Sequence, residues 1–294
     1  EAQRTEPAAR AGEAIARHFN FYPKGDPRYA PTLDERLDDI KAVTLEQVVQ
    51  FHREFYGASS GQLAIVGDFD ADAILPLLQA EFGNWKSQRP YTRVVSRHAE
   101  IAAARLPVAT PDKENANLYG RINIAMKDDA PDYPALLVAN NVFGGGFLSS
   151  RLMTRLRQKD GLSYGAGSGL QVSPHDNAGS WNIRAIAAPQ NMAKAELAIR
   201  EEVDRVLKDG FTAAETASAI DNLLQLRMQN RAQDAAVAGA WLEYLELGRS
   251  FVTWSERIDR QIREVTPEMA LAALRKYVQT DKLTFAIAAD PAKR

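Results

Sequence analysis

A helix-and-strand unit occurs twice in this chain, 222 residues apart and without a gap. The first copy begins with the motif Val-Thr-x-Glu at residue 43, and the second begins with the same motif at residue 265. The offset also pairs the following residues: Arg53 with Arg275, Phe55 with Tyr277, Ala64 with Ala286, Ile65 with Ile287, and Asp68 with Asp290. A chance match is the alternative, because Val-Thr-x-Glu is a common helix start. The constant register favours duplication of a unit of about 220 residues.

The length of the chain bears on where the two copies lie. A chain of 294 residues is long enough for two domains. If the repeating unit has about 220 residues, residues 1–94 hold the end of one copy and the start of a linker, and residues 95–294 hold a complete second copy. The polar, proline-containing stretch 87–114 supports a boundary near residue 95. The first residues resemble neither a start nor a signal peptide, so we expect part of the first copy to lie upstream.

The spacing of apolar residues predicts an α+β fold, with a mainly antiparallel sheet packed by helices. The predicted helices cover 33–56 as two short helices, 70–83, 132–143, 149–158, 191–208, 212–248, 253–264 and 267–278. The predicted strands cover 62–70, an edge strand at 106–109, 118–126, 163–173, 179–188 and 283–290.

Composition and charge argue against several functional classes. A net charge of −2 gives no general attraction to nucleic acid or to anionic membranes. Basic residues cluster at Arg151, Arg155, Arg157 and Lys159, but they surround a helix and have no stacking aromatic residues between them. No apolar run is long enough to span a bilayer. The absence of cysteine excludes disulfides and thiolate metal sites and leaves the compartment open. We therefore expect neither nucleic-acid binding nor a membrane span.

A metal site within this chain is not predicted. The four histidines, His18, His52, His98 and His175, are far apart in sequence, and none has a histidine or carboxylate partner at helical spacing. Both H-x-x-E-H and H-E-x-x-H are missing from the sequence. Serine catalysis has no better support, because Ser149 and Ser150 lack a nucleophile elbow and suit a helix cap instead.

Three consecutive glycines, Gly144, Gly145 and Gly146, precede the helix predicted at 149–158. Glycines before a helix can expose backbone amides to an anion, but no Gly-Lys-Ser/Thr follows and a helix replaces the expected preceding strand. A second glycine-rich run, at 165–169, lies within a predicted strand, where glycine marks the close approach of another backbone. A peptide lying beside that strand would use this space.

Arg157 and Tyr164 form the most informative pair of candidate site residues. Arg157 lies in the last helical turn, away from the stripe of Leu148, Leu152 and Leu156 that should face the core. Tyr164 opens the next strand, after a tight turn. One interpretation is structural: Arg157 complements the helix C-terminus and Tyr164 is a strand-favouring aromatic. The other is that both donate hydrogen bonds to a substrate carbonyl and to the oxyanion formed from it.

The segment "NNVFGGGFLSSRLMTRLRQKDGLSYGAGSGL" resembles the C-terminal domain of the pitrilysin/insulinase (M16) zinc peptidases. In that family a glycine-rich stretch, a Ser-Arg-Leu helix and an Arg-x6-Tyr pair occur in this order. The segment "VTLEQVVQFHREFYGASSGQLAIVGDFDADAI" resembles the end of another M16 domain, and "FNFYPKGDPRYAPTLDERL" resembles the third domain of long bacterial members with four domains. The repeat length also agrees with that family's unit.

The resemblance implies a LuxS/MPP-like metallohydrolase fold and assigns roles to named residues. Arg157 and Tyr164 match the pair that reaches the scissile carbonyl and are therefore the expected catalytic residues. Gly144, Gly145 and Gly146 match the substrate-binding glycine stretch. Zinc and a general-base glutamate would come from an N-terminal half, on the same polypeptide or on a partner subunit, so this chain alone would be inactive and bind no metal.

The expected function is therefore that of the substrate-binding half of a zinc-dependent endopeptidase acting on peptides or unfolded polypeptides. The alternative is a non-catalytic M16-like structural or peptide-binding subunit, since some relatives are of that kind. Retention of both Arg157 and Tyr164 favours the first. The resemblance to long bacterial members also suggests a periplasmic location.

Overall fold

The computed structural model describes residues 1–293, and of Phe147 only the backbone. The helices within this range are α1 (Pro7–His18), α2 (Leu33–Ala42), α3 (Leu45–Phe55), α4 (Ala71–Phe82), α5 (Tyr133–Asn140), α6 (Arg151–Met153), α7 (Met192–Asp209), α8 (Ala213–Arg231), α9 (Asp234–Glu246), α10 (Phe251–Arg263) and α11 (Pro267–Tyr277). The strands are β1 (Arg105–Ala109), β2 (Ala116–Ile124), β3 (Ser163–Val172), β4 (Gly179–Ala187) and β5 (Thr284–Ala289). Segments of π-helix, Asn141–Gly145 and Thr154–Lys159, continue α5 and α6.

The five strands form one sheet in the order β1-β5-β2-β4-β3. β1 pairs with β5 in parallel, and the other three pairings are antiparallel. Every residue of β5 is buried: α1 packs on Ala286 and Ala288 of one face, and Arg200 of α7 lies over the Phe285 ring on the other. The predicted α+β class with a mainly antiparallel sheet is therefore confirmed.

Alternation along the strands decides what covers each face of the sheet. In β2 every second residue is buried, and the same alternation places Trp181 and Ile183 of β4 in the core. Helices α5 and α7 contact this face, and α11 packs on those two helices. On the opposite face, α1 packs Ala11, Ile15 and Phe19 against the small side chains of β5. The two edge strands of the sheet are β1, which is mainly apolar, and β3, which is rich in glycine.

The chain divides into two compact units. Unit 1 consists of Glu1–Glu35, Val95–Leu224 and the segment from Ile258 onward, and it contains the whole sheet. Unit 2 consists of Arg36–Val94 and Gln225–Arg257. Apart from Ser255, none of the described residues of unit 2 is buried. The assignment of residues 1–94 and 95–294 to two M16-like domains stays a prediction.

The sequence repeat has a counterpart in local structure. Helices α3 and α11 both have 11 residues and begin and end at positions separated by the same offset of 222. Thr44 caps α3 with φ −99° and ψ 159°, and Thr266 caps α11 with φ −98° and ψ 163°. The two copies of the sequence repeat therefore form the same capped helix, as duplication predicts.

Two sequence predictions differ from the structure. The strand predicted at 62–70 is not formed among the described residues, because unit 2 offers it no neighbouring strand and a lone strand leaves its amides and carbonyls unpaired. Helix α1 was not predicted, although Pro7 occupies its first turn and its buried Ala11 and Ile15 follow helical spacing. The segment was missed because most of its residues are polar or small and its apolar face is short.

Candidate functional site

The helix that carries Arg157 is fixed by its cap and by two leucines. Ser150 Oγ accepts a hydrogen bond from the amide of Met153 at 3.4 Å, which starts α6 where the sequence predicts a cap. Leu152 and Leu156 are fully buried, as predicted. The prediction that Leu148 faces the core is wrong: it is 45% exposed, because it lies in a separate 3-10 turn before the cap.

Arg157 differs from the other arginines of this helix in having no partner. Arg151 forms an ion pair with Glu215 at 2.7 Å, and Arg155 forms ion pairs with Asp160 and Glu201. The exposed side chain of Arg157 makes no hydrogen bond or ion pair with any described residue. It lies in the π-helical segment Thr154–Lys159, a distortion that often occurs at functional sites. Its guanidinium is therefore available to a ligand.

Tyr164 is turned outward by a β-bulge in the edge strand β3. The pairing with β4 shifts between Ser163 and Gly165, so Tyr164 is the extra, unpaired residue. The Ser163 hydroxyl donates to the carbonyl of Ile186 at 2.7 Å and accepts from the amide of Gly165 at 3.2 Å, which holds the bulge. Tyr164 is 70% exposed, and its hydroxyl has no partner among the described residues. A catalytic role for Arg157 and Tyr164 stays a prediction.

The three glycines lie in and just after the π-helical end of α5, and a Cβ on any of them would lie less than 3.0 Å from a neighbouring atom. A Cβ on Gly144 would be 2.5 Å from the amide nitrogen of Ser168, and a Cβ on Gly146 would be 2.8 Å from the carbonyl oxygen of Asn141. The amide of Gly146 already donates to that carbonyl at 2.7 Å. Gly145 is the exposed member of the three. Their role in binding substrate stays a prediction, with Gly145 the best placed.

Asn140 supports this region and was not predicted as a site residue. Its Oδ1 accepts from the Ser168 hydroxyl at 2.7 Å and from Trp181 Nε1 at 2.9 Å. It thereby joins the end of α5 to β3 and β4 directly beside the glycines. The signal in the sequence was an asparagine pair, Asn140 and Asn141, placed two residues before the glycine stretch within an otherwise apolar helix.

Within residues 1–293, no group of three or more histidine or acidic side chains is arranged so that it could hold a metal ion. The donor set of the described chain therefore does not fit a zinc site. Among the same residues, no helix combines the length and the apolar character that crossing a membrane requires.

The sheet order, the exposed Arg-Tyr pair and the packed glycines can now be compared with known proteins. The family model described as the peptidase M16 inactive domain matches residues 42–223, which is more than half of the chain. The chain belongs to the peptidase M16 family. The predicted resemblance is thus confirmed.

Curated M16 relatives extend well beyond this chain. An uncharacterized zinc protease of Streptomyces coelicolor is 25% identical over 250 residues, covering 81% of this chain and 52% of the relative. A Bacillus subtilis protein named "Probable inactive metalloprotease YmfF" is 29% identical over 152 residues, covering 50% of this chain and 34% of the relative. The chain therefore spans about half the length, or less, of these relatives. Their names place it in a lineage of zinc proteases that includes a member named as inactive.

Solved structures show the same M16 fold. The peptidase M16 inactive domain from Pseudomonas fluorescens matches with a TM-score of 0.82 and 25% identity, covering 98% of this chain and 67% of that one. The periplasmic protease PqqL from Escherichia coli matches with a TM-score of 0.66 and 14% identity, covering 98% of this chain and 32% of that one. The second similarity is one of fold.

Proposed function

We propose that this chain is the substrate-binding half of a zinc-dependent M16 endopeptidase, in which Arg157 and Tyr164 donate hydrogen bonds to the carbonyl oxygen of the peptide bond that is cut. Zinc and the general base come from an N-terminal M16 half, on the same polypeptide or on a partner subunit. The isolated chain has no peptidase activity. The substrates are peptides or unfolded polypeptides, which bind beside the glycine-rich strand β3.

One observation carries this proposal: Arg157 and Tyr164 are exposed donors without a partner among the described residues, whereas the other arginines of the same helix are engaged. Arg151 and Arg155 are held by carboxylates, and Ser163 is used to maintain the bulge. A purely structural Arg157 would be expected to pair with an acidic residue or with carbonyls at the end of its helix. The family and the names of the relatives give the chemistry that such donors would serve.

The two side chains suit carbonyl polarisation for different reasons. The guanidinium of Arg157 is permanently charged and can donate two parallel hydrogen bonds. The phenol of Tyr164 donates one directed hydrogen bond without adding charge. Both interactions strengthen as negative charge develops on the carbonyl oxygen, so they lower the barrier more than they increase ground-state binding.

Arg157→Ala and Tyr164→Phe test the proposal in the full-length protein. Each substitution should lower kcat for zinc-dependent cleavage of an unfolded peptide by on the order of 10²-fold, the usual effect of removing one oxyanion donor. Because neither side chain contacts zinc in this scheme, bound zinc measured by elemental analysis should be unchanged.

Lys159→Ala is the matched control for Arg157→Ala. Lys159 is an exposed cation at the end of the same π-helical segment, so its removal changes net charge equally without removing the proposed donor. It should leave kcat within about twofold of the parent value. If the Arg157 and Tyr164 variants retain the parent rate, neither residue is catalytic.

A non-catalytic peptide-binding subunit is the second candidate function. The supporting observations are the name of the Bacillus subtilis relative and the description of the matched family as an inactive domain. This candidate predicts that the full-length protein, loaded with zinc, binds an unfolded peptide in a fluorescence-anisotropy titration but does not cleave it.

The N-terminal M16 half is also the proposed partner for the uncovered surface of unit 2. In unit 1, α11 packs on α5, and β5 lies between β1 and β2. At the repeat offset of 222, α3 corresponds to α11, and residues 62–67 correspond to β5. The sequence before α3 contains no counterpart of α5, β1 and β2, the elements that cover α11 and β5 in unit 1. We infer that the N-terminal half supplies two strands and a helix at these positions, so that residues 36–94 belong to the M16-like domain whose end is predicted within residues 1–94.

A periplasmic location belongs to the same proposal. Its support is the resemblance of residues 19–37 to long bacterial members and the fold shared with a protease named as periplasmic. Fractionation of cells that express the full-length protein would test it, because recovery with a periplasmic marker enzyme is expected.

A further inference from the structure

A cavity of about 460 Å³ lies in unit 1 at the C-terminal end of α1. One wall is formed by β2, β3 and β4, where Asn123 and Ser180 face each other across the β2–β4 pairing. The other walls come from the aromatic residues that follow α1 and from the segment 96–98. Arg157 and Tyr164 do not line it.

Arg121 of β2 lines this cavity without a carboxylate partner. Its Nε donates to Asn123 Oδ1 at 3.0 Å, and its guanidinium carbon lies 4.8 Å from the centre of the Phe19 ring. Neither terminal nitrogen has a hydrogen-bond partner among the described residues. Burial lowers the pKa of Arg121, and no acidic neighbour opposes that effect. A half-buried cation of this kind is costly unless an anion compensates it.

The described carboxylates near the cavity do not pair with Arg121. No aspartate or glutamate is among its lining residues. Asp26, beside it, is already engaged by Arg28 at 2.7 Å and 2.8 Å, and Asp176 accepts from the amide of Ser96 at 2.8 Å. The exposed Arg97 adds a second positive charge at the cavity.

His98 also lines the cavity, and one of its ring nitrogens is buried and unpaired within the described part of the chain. Its Nε2 lies 3.1 Å from Glu100 Oε1, whereas its Nδ1 is buried and has no hydrogen-bond partner among the described residues. When Nε2–H donates to Glu100, Nδ1 is an acceptor and cannot bind a carboxylate, so the group that calls for an anion at this cavity is the guanidinium of Arg121.

We propose that this cavity binds a carboxylate-bearing ligand through the guanidinium of Arg121. The terminal nitrogens of arginine match the two oxygens of a carboxylate in a bidentate arrangement. Arg97 is exposed and therefore solvated, so the half-buried charge without a partner among the described residues is the single charge of Arg121, which favours a carboxylate over a doubly charged phosphate. The aromatic side chains of Phe19, Phe21 and Tyr22 suit an apolar body attached to that carboxylate. The ligand is a small organic acid or an acidic side chain of a peptide.

Titration calorimetry on this chain tests the proposal without any peptidase assay. The probes are succinate, neutral succinamide, inorganic phosphate, and two otherwise identical unstructured peptides that carry one Asp or one Asn. We expect saturable binding of succinate or of the Asp peptide, and none of succinamide or of the Asn peptide. Binding of succinate alone would assign a small acid, and binding of the Asp peptide would assign an acidic peptide.

The variants are Arg121→Gln, Arg121→Lys and the control Arg184→Gln. Arg184 is an exposed arginine of the adjacent strand β4, and it stacks on Tyr119 without lining the cavity. Affinity should fall at least tenfold in Arg121→Gln and stay unchanged in Arg184→Gln. Arg121→Lys keeps the charge but loses the planar fork, so it should weaken binding while preserving the fold, which circular dichroism checks.

Three results would overturn the proposal. The first is that no carboxylate probe shows saturable binding. The second is that folded Arg121→Gln and Arg121→Lys bind the carboxylate as tightly as the parent protein does. The third is that phosphate binds more tightly than any carboxylate. Because none of these depends on cleavage, failure here is separate from failure of the proposed peptidase function.

Discussion

At the scale of single residues, this chain shows how identical residue types acquire different tasks within a few positions. Arg151 and Arg155 hold α6 against neighbouring acidic groups, whereas Arg157 is left free. The glycines divide similarly, because Gly144 permits contact with β3 while Gly145 is exposed. A substitution therefore tests function only where packing does not already require the residue.

Gly144→Ala should destabilise the protein, because the new Cβ would lie 2.5 Å from the backbone nitrogen of Ser168, which cannot move aside without disturbing β3. We expect the free energy of unfolding, measured in urea, to fall by about 2 kcal/mol, as for other overpacked sites. Gly169→Ala is the control, because a Cβ there meets nothing within 4 Å. It should change stability by about 0.5 kcal/mol or less. Equal effects of the two substitutions would contradict the packing role of Gly144.

At the scale of elements, a single ion pair joins the helix of the candidate site to α8. Arg151 Nε and Nη2 contact the two carboxylate oxygens of Glu215 at 2.7 Å and 2.8 Å, and Nη2 also donates to the carbonyl of Gly210. Glu215 accepts in addition from the amide and hydroxyl of Thr212, which completes the start of α8. The pair thus positions the same helix that presents Arg157.

This ion pair predicts a defined pH dependence of stability. The hydrogen bond from Arg151 lowers the pKa of Glu215 from 4.5 to about 2. Because the folded-state pKa is the lower one, the stabilisation is present above pH 4.5 and is lost as the pH falls toward 2. Glu215→Gln should lower the free energy of unfolding at pH 7 by about 1 kcal/mol, a value reduced for solvent screening of a partly exposed pair.

Urea titrations between pH 2 and pH 7 measure this effect. The difference between parent and Glu215→Gln should shrink as the pH falls from 4.5 toward 2. Glu264→Gln is a control, since Glu264 is an exposed carboxylate for which no described ion pair is found. A difference that stays constant over the whole range would show that Glu215 acts through something other than its charge.

At the scale of the whole molecule, the duplicated unit is buried in one copy and uncovered in the other. In α11, Ala270 and Ala273 are buried, whereas their counterparts in α3, Val48 and Phe51, are 52% and 54% exposed. Leu63 is 56% exposed, although its counterpart Phe285 in β5 is fully buried. Several large apolar side chains exposed within 16 residues of sequence are unusual in a folded protein and indicate an interaction surface. It is the surface that we assign to the N-terminal M16 half.

This assignment predicts how the isolated chain behaves. The chain should self-associate with rising concentration in sedimentation velocity, and Val48→Gln with Phe51→Gln should suppress that association. In the full-length protein the same pair of substitutions should lower stability, because those side chains are then buried. Leu197→Gln is the control, since Leu197 is a similarly exposed leucine of α7 in unit 1. A chain that stays monomeric at all concentrations would contradict the assignment.

Local sequence patterns were sufficient to predict a helix or strand wherever its cap or its apolar spacing lies within the element itself. Apolar spacing and the Thr44 and Thr266 caps predicted α3 and α11, alternation predicted β2, and the strands predicted at 163–173, 179–188 and 283–290 correspond to β3, β4 and β5. They also placed Arg157 and Tyr164 at the end of one helix and at the start of one strand. These features depend on residues close together in the chain, so the sequence contains them directly.

The sequence by itself determined the repeat, the α+β class and the family resemblance, because each is a property of order and spacing along the chain. Only the tertiary structure decided which donors are free, since pairing of Arg151 and Arg155 depends on acidic residues as many as 64 positions away. It likewise decided that residues 62–70 form no strand here, because a strand exists only where another segment satisfies its backbone hydrogen bonds. The sequence also could not reveal that Arg121 is half-buried without a carboxylate partner among the described residues. Its burial and its charged neighbours depend on segments that meet only after folding.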